Sequence, residues 1–431
     1  MKKVYVAMST DLYHCGHVNI INEAAKYGSV IVGILTDEAI ATYKRTPLLN
    51  TKERRIIAEN FKNVEKTVIQ DTLDYTKNLQ ELKPDYVVHG DDWKTGVQQI
   101  IRTKVIETLS EWGGELIEVP YTQNISGDIL SKHLTGILNT PQERLSKLKR
   151  LLGLKPYIRA IDTSNGLTGL IAENTRIMDK NSLTVKEFDA MWVSSLCDSS
   201  FKGKPDIELV DVTSRLHTIN EIMEVTTKPI ILDGDTGGKI EHFSYHVKTL
   251  ERLGVSAVII EDKTGLKQNS LFGTDVEQEL DDPENFALKI SAGKKAQVTR
   301  DFMIISRLES LIAGKSVDDA LLRAKIYVNS GTDAIMIHSK EKNADDVFHF
   351  MKKFREYSKD IPIVVVPTTY NQYTEEELNE KGANIIIYAN HLLRSAYPAM
   401  LRTAESILTH SSSKKASDEF CMPIKDVLTF I

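Results

Sequence analysis

Two α/β units are what the sequence predicts: a Rossmann-like, doubly wound domain at residues 1–137, followed by a (β/α)8 TIM barrel at 138–431. Three observations carry that prediction. Five short apolar runs alternate with amphipathic stretches up to residue 137, a basic-faced helical stretch opens at Pro141, and eight more apolar runs follow it. Alternation of this kind builds a parallel sheet covered by helices. Eight β/α units in about 290 residues suit one barrel, whose working groups stand at the carboxyl ends of its strands.

The elements follow in order. VYVAMS leads into a helix from about His17 to Tyr27, SVIVGILT into a helix over Lys52 to Lys62, and TVIQ into a short helix near Thr76 to Leu82. DYVVHGDD precedes a helix near Val97 to Trp112, and ELIEVPY closes the set. The barrel runs are YIRAID, FDAMWVSSL, PIILDGD, AVIIED, FMIISRLE, AIMIH, PIVVVP and NIIIYA. Helical stretches between them include Ser244 to Leu253, Pro283 to Lys295, Val317 to Ser330, Ala344 to Tyr357 and Glu375 to Lys381.

Composition narrows the function classes. With 54 Lys plus Arg against 60 Asp plus Glu, the net charge is -6, which offers no broad field for nucleic acid or an anionic membrane. Cys15, Cys197 and Cys421 form neither a disulfide framework nor a zinc pattern. The apolar run after Met1 is too short for a signal peptide, and no window is long enough to span a membrane. A cytoplasmic protein is expected.

In the first domain, His14-Cys15-Gly16-His17 lies between the first strand and its helix. The amino end of a helix offers unpaired N–H groups to a phosphate, Gly16 permits close approach, and two imidazoles three apart can face one anion. Thr36-Asp37-Glu38, Lys44, Arg54 and Gly90-Asp91-Asp92-Trp93 follow in order. From Asp11 to Ile125-Ser126 this set resembles the cytidylyltransferases that act on glycerol phosphate, ethanolamine phosphate and choline phosphate. The resemblance implies that His14 and His17 stabilise the α-phosphate of CTP and that Lys44 and Arg54 handle phosphates. It places Asp11, Gly90, Asp92 and Ser126 at the nucleotide. Gly127-Asp128 departs from the family's Ile-Ser-Thr-Thr ending, which leaves a nucleotide-binding regulatory module as the alternative.

In the barrel, polar side chains stand at successive strand ends: Trp192-Val-Ser194-Ser195-Leu196, Asp233-Gly-Asp235, Glu261-Asp262-Lys263, Arg307 and His338. An isolated Asp-Gly-Asp caps a helix or shapes a turn as readily as it binds a metal; convergence is the signal. Four carboxylates from adjacent strand ends repel one another unless a cation intervenes, and oxygen ligands without clustered Cys or His favour Mg²⁺ over zinc. Arg307 and His338 supply positive charge for a phosphate or carboxylate.

With Asp206 and the segment Glu261 to Ser270, this pattern resembles phosphoenolpyruvate mutase of the isocitrate lyase superfamily, over about residues 150 to 400. The resemblance implies interconversion of phosphoenolpyruvate and phosphonopyruvate. Asp235 would hold Mg²⁺, with Asp233, Glu261 and Asp262 around it. Ser194, Ser195 and Leu196 would bind the carboxylate and enolate side beside Trp192, and Arg307 with His338 would bind the phosphoryl group. Lys267, Asn269 and Ser270 would lie on a gating loop, and Asp206 near the reacting group. The loop lacks the cysteine usual in the carbon–carbon lyases, which disfavours that chemistry. Phosphonopyruvate hydrolase remains the enzyme alternative. The expected partners are these small molecules, CTP, a phosphonate acceptor such as 2-hydroxyethylphosphonate or 2-aminoethylphosphonate, and further copies of the chain in a homo-oligomer.

Overall fold

The computed structural model of the chain describes residues 2–43, 46–94, 98–120, 140–179, 184–264, 267 and 279–429. It divides into two compact units. One comprises Met1–Glu143, Lys149–Pro156 and Thr175–Glu187, the other Arg144–Leu148, Tyr157–Asn174 and Phe188–Ile431.

In the first unit, β1 (Lys3–Met8), β2 (Ser29–Leu35), β3 (Val64–Gln70), β4 (Tyr86–Gly90) and β5 (Glu115–Val119) form a five-stranded parallel sheet in the order β3-β2-β1-β4-β5. Alternation along β1 explains its two faces. Val4 and Val6 pack with Ile21 and Ala24 of the helix Cys15–Ala24, whereas Tyr5 packs with Leu79, Val87 and Val105. The strand order turns back between β1 and β4, and a crevice opens at the carboxyl ends of strands at such a point.

In the second unit, β6 (Ile158–Asp162) and β9 to β15 close into a barrel of eight parallel strands. These are β9 (Ala190–Val193), β10 (Ile230–Asp233), β11 (Ala257–Glu261), β12 (Met303–Leu308), β13 (Ala334–Ile337), β14 (Ile363–Val365) and β15 (Ile385–Tyr388). All eight coincide with the expected apolar runs. Their covering helices start on side-chain caps: Asp211 before Val212–Val225, Asp282 before Pro283–Ala296 and Ser316 before Val317–Asn329. Closure leaves the barrel no unpaired edge.

An antiparallel pair of strands lies outside the sequence expectation. Strands β7 (Arg176–Asp179) and β8 (Thr184–Glu187) pair antiparallel, and the Val185 N–H donates to the Thr42 carbonyl at 2.8 Å within the first unit. The long helix His391–His410 exposes Tyr397, Met400, Leu401 and Leu408. Among the described residues, no helix is long and apolar enough to cross a membrane.

Candidate active sites

The barrel mouth is built from strand ends. β10 finishes at Asp233, and Gly234 follows because a Cβ there would lie 2.6 Å from Val258 Cγ2 and 2.9 Å from the Ile259 carbonyl. The chain then turns through Asp235, whose φ of 52° lies in the left-handed region. Ser195 donates from its hydroxyl to Asp233 Oδ2 at 2.9 Å, and Asp235 donates its backbone N–H to Asp233 Oδ1 at 3.2 Å. The ammonium of Lys267 sits among these oxygens. It contacts Ser195 Oγ and Asp235 Oδ1, lies 3.2 Å from Asp206 Oδ1 and 3.9 Å from Asp233 Oδ2, and is buried. Burial alone would raise the Asp233 carboxyl, but Lys267, Arg307 and Arg215 outweigh it and hold it well below the usual carboxylate range. The same carboxylates hold Lys267 above its ordinary value despite burial.

Across the mouth, β11 ends on Glu261 and β12 carries Arg307, which face each other in register. Arg307 Nη2 lies 3.5 Å from Glu261 Oε2 and 2.9 Å from His338 Nδ1. Its Nε donates to Glu309 Oε1 at 2.6 Å, and the same oxygen lies 3.0 Å from His338 Nδ1. Lys263 Nζ stands 3.3 Å from Glu309 Oε2 and 3.4 Å from Glu261 Oε1. Burial lowers His338, reinforced by Arg307 and opposed by Glu309. Glu309 is fully buried and was not among the expected residues. Two positions beyond Arg307, it continues the same face of the strand, and that period was the available signal.

Asp262 requires a correction. Expected beside the metal, it faces away from the mouth, because successive strand residues alternate between the barrel interior and the helix layer. Its Oδ1 accepts the Glu309 N–H at 2.8 Å, and its Oδ2 accepts from Tyr327 Oη at 2.8 Å and Arg323 Nη1 at 3.2 Å. Tyr327 and Arg323 belong to the covering helix Val317–Asn329. Asp262 is therefore a strut between strand and helix.

Ser194 caps the helix Ser195–Phe201 by accepting the Cys197 N–H at 3.1 Å, and donates its hydroxyl to Asp162 Oδ2 at 2.8 Å. Its single O–H donor is thereby used, and Ser195 gives Asp233 Oδ2 its backbone N–H at 3.3 Å as well as its hydroxyl. Asp162, which ends β6, also receives the Asn390 N–H at 3.0 Å; burial pushes its carboxyl up to about 6. Trp192 is buried in β9 and Leu196 is partly buried. Asn269 and Ser270 lie outside the described residues.

The donor set fits Mg²⁺. Among the described residues, no three His, Cys, Asp or Glu side chains form a ready-made metal cage. Mg²⁺ does not need one, since it keeps several waters and uses one or two carboxylates. Asp233, Asp235 and Glu261 supply those. Both Glu261 oxygens are buried and lack a hydrogen-bond partner among the described residues; Lys263 and Arg307 approach them only to 3.4 and 3.5 Å, which leaves their lone pairs for a divalent cation or its water.

In the first unit, His14 caps the helix Cys15–Ala24. Its Nδ1 accepts the Gly16 N–H at 3.1 Å, while His17 Nδ1 accepts the His14 N–H at 3.3 Å. A nitrogen that accepts carries no proton, so both rings hold theirs on Nε2. The rings stand 4.1 Å apart between centroids, and burial lowers His14. Thr10, just before them, is fully buried with φ 55°, a strained conformation for a β-branched residue. Asp11 Oδ1 accepts the N–H groups of Leu48 at 2.6 Å and Leu49 at 3.1 Å, and so anchors that loop. Gly90 ends β4, adjacent to β1, and His89 stacks on Trp93 with centroids 3.7 Å apart.

Arg54 also needs correcting. It is fully buried and donates to the carbonyls of Ser9, Leu35 and Leu49 at 2.5, 2.7 and 3.0 Å and to Asp37 Oδ1 at 2.6 Å. Such a guanidinium ties the strand ends together and has no face left for phosphate. Lys44, Ser126, Gly127 and Asp128 lie outside the described residues, as does the side chain of Asp92.

Comparison with known proteins follows the same division. Residues 159–408 match the sequence model described as phosphoenolpyruvate phosphomutase, and residues 9–132 match that described as cytidylyltransferase-like. A phosphoenolpyruvate phosphomutase of Tetrahymena pyriformis is 34% identical over 270 residues, covering 62% of this chain and 85% of that protein. A phosphonopyruvate hydrolase of Variovorax sp. (strain Pal2) is 35% identical over 243 residues, covering 56% of this chain and 82% of that protein. A crystal structure of phosphonopyruvate hydrolase with oxalate and Mg²⁺ superposes with a TM-score of 0.56 at 29% identity, covering 68% of this chain and 94% of that one.

Proposed function

From the premise that the chain belongs to the phosphoenolpyruvate phosphomutase family, with a cytidylyltransferase-like domain fused in front, we propose that its barrel interconverts phosphoenolpyruvate and phosphonopyruvate. The observation that carries the reading is the buried polar mouth. Asp206, Asp233, Asp235, Glu261, Lys267, Arg307, Glu309 and His338 are each under a tenth exposed, yet all are polar. A loose phosphoryl transfer needs positioning, charge stabilisation and exclusion of water more than it needs a strong base. A mouth closed to water favours recapture of the phosphoryl group by carbon over hydrolysis.

The geometry supports the following roles. Asp235, Asp233 and Glu261 would hold Mg²⁺, which when bound would polarise the carboxylate and enolate oxygens of the substrate. Glu309 holds the Arg307 fork through Nε and stands against His338 Nδ1, so that both side chains are set beside the phosphoryl group. The Ser194–Ser195 turn, beside Asp233, would meet the carboxylate and enolate side. Lys267 brings a cation to the carboxylates and Asp206 lies beside it. In the first domain, the Nε2–H groups of His14 and His17 would stabilise charge on the α-phosphate of CTP while CMP passes to a phosphonate or phosphate ester. The apolar residues exposed along His391–His410, together with Phe420, Met422, Ile424 and Leu428, support a homo-oligomer.

Incubation with phosphonopyruvate and Mg²⁺ tests the barrel. Phosphoenolpyruvate is the expected product; phosphate plus pyruvate would instead favour hydrolysis, the reading that the Variovorax relative supports. Pyrophosphate release from CTP across a panel of phosphonate and phosphate-ester acceptors tests the first domain.

A further inference from the structure

The proposed mechanism leaves the surroundings of Asp235 unexplained. Its left-handed backbone is uncommon for a residue other than glycine and persists only where neighbours hold it. One neighbour is Arg215, which projects from the helix Val212–Val225 and donates from Nη1 to Asp235 Oδ2 at 2.9 Å. Its Nη2 reaches the Val193 carbonyl at 3.4 Å, and its Nε lies 3.8 Å from Asp198 Oδ2. Neither of those last two atoms has a hydrogen-bond partner among the described residues. Asp198 is fully buried, and its Oδ1 takes Thr218 Oγ1 at 2.7 Å and the Lys202 ammonium.

A chain Asp198–Arg215–Asp235 thus runs inward from the helix layer to the mouth. Stability is a weak reason for it, because buried ion pairs roughly cancel their own desolvation. Its geometric effect is specific: Oδ2 of Asp235 is engaged, the carboxylate plane is set, and Oδ1 is turned toward Asp233, Ser195 and Lys267. We propose that Arg215, backed by Asp198, is a positioning residue that presents one oxygen of Asp235 to a divalent cation. The proposal rests on the reading that Asp235 is a metal ligand.

Charge and geometry predict opposite signs here. If only charge mattered, removing a guanidinium beside the site would tighten divalent binding. If Arg215 positions Asp235, its removal weakens binding, and partners of metal ligands typically set affinity by about 10–100-fold.

The test is binding of Mn²⁺ alone to the full-length protein, read from the spin-resonance signal of the free ion, with folding checked by thermal unfolding. Arg215→Met should weaken binding about tenfold or more. Arg215→Lys should recover part of the loss, since an ammonium can still reach one oxygen. Asp198→Asn should weaken binding less and add nothing on top of Arg215→Met. The Mg²⁺ half-saturation of turnover should move in parallel, with kcat at saturating metal nearly constant. Unchanged or tighter binding by folded Arg215→Met overturns the proposal. Should that variant fail to fold, Asp198→Asn, which does not touch Asp235, decides it, and parental affinity there is the overturning result. Asp235→Asn separates the premise: if it binds Mn²⁺ like the parent, the metal reading itself fails.

Discussion

Asp262→Asn separates a strut from a metal ligand more sharply than any other single change. The carboxylate meets three donors: the Glu309 N–H, Tyr327 Oη and Arg323 Nη1, at 2.8, 2.8 and 3.2 Å. An amide has one acceptor, so either orientation sets its NH₂ against a donor. Tyr327 can turn its hydroxyl to accept, whereas the guanidinium cannot. Arg323 keeps Asp319 at 3.1 Å and the Asp281 carbonyl at 2.9 Å, which limits the damage. Breaking a fully buried pair costs about 3–5 kcal/mol, and the retained partners bring the expectation to the lower end, about 3 kcal/mol. Urea unfolding of the barrel transition measures this, and Mg²⁺ titration of the folded variant completes the assay. A midpoint unchanged from the parent, or a half-saturating Mg²⁺ concentration raised tenfold in a stable variant, would refute the assignment.

Other outcomes are equally open to measurement. Glu309→Gln should lower kcat roughly 10²–10³-fold, because Arg307 and His338 lose the group that sets them, while substrate KM changes less; parental kcat would remove Glu309 from the site. Arg54→Met should destabilise the first unit by about 3–5 kcal/mol, seen as an early thermal transition; unaltered melting with a much higher KM for CTP would return Arg54 to the phosphates. Asp162 gives a pH signature. Its folded value, about 6 against an ordinary 3.8, means the native state binds more protons than the unfolded chain between those values, so stability falls as pH rises through that window. Asp162→Asn lacks that slope. Its stability relative to the parent should rise by about 2 kcal/mol between pH 4 and pH 7, and a flat difference would contradict the burial argument.

What the sequence disclosed followed from periodicity. Eight apolar runs bounded by turn residues became eight barrel strands, since a parallel strand buried on both faces must be continuously apolar. The convergence of Asp233, Asp235, Glu261, Arg307 and His338 was legible because barrel strand ends meet at one mouth. Reading strand ends as blocks, without alternation, drew Asp262 inward and left out Glu309. Arg54 misled because a helix-opening arginine has the same composition whether it faces phosphate or the oxygens of its own fold. Arg215 carried no signal: it lies in the first turn of its helix, and only packing brings it to Asp235. The antiparallel strands Arg176–Asp179 and Thr184–Glu187 are too short for their alternation to stand out from a loop.

Lys267 gives the barrel mouth an unusual economy of charge. Its ammonium already lies among Asp206, Asp233 and Asp235, tethered by the backbone rather than drawn from solution. Many metal centres are scaffolds that collapse when stripped, since nothing else offsets their repelling anions. Here a resident counterion does that, so under the Mg²⁺ reading loading would be an exchange of one cation for another rather than an act of folding. A chelator should therefore silence this enzyme reversibly without melting it.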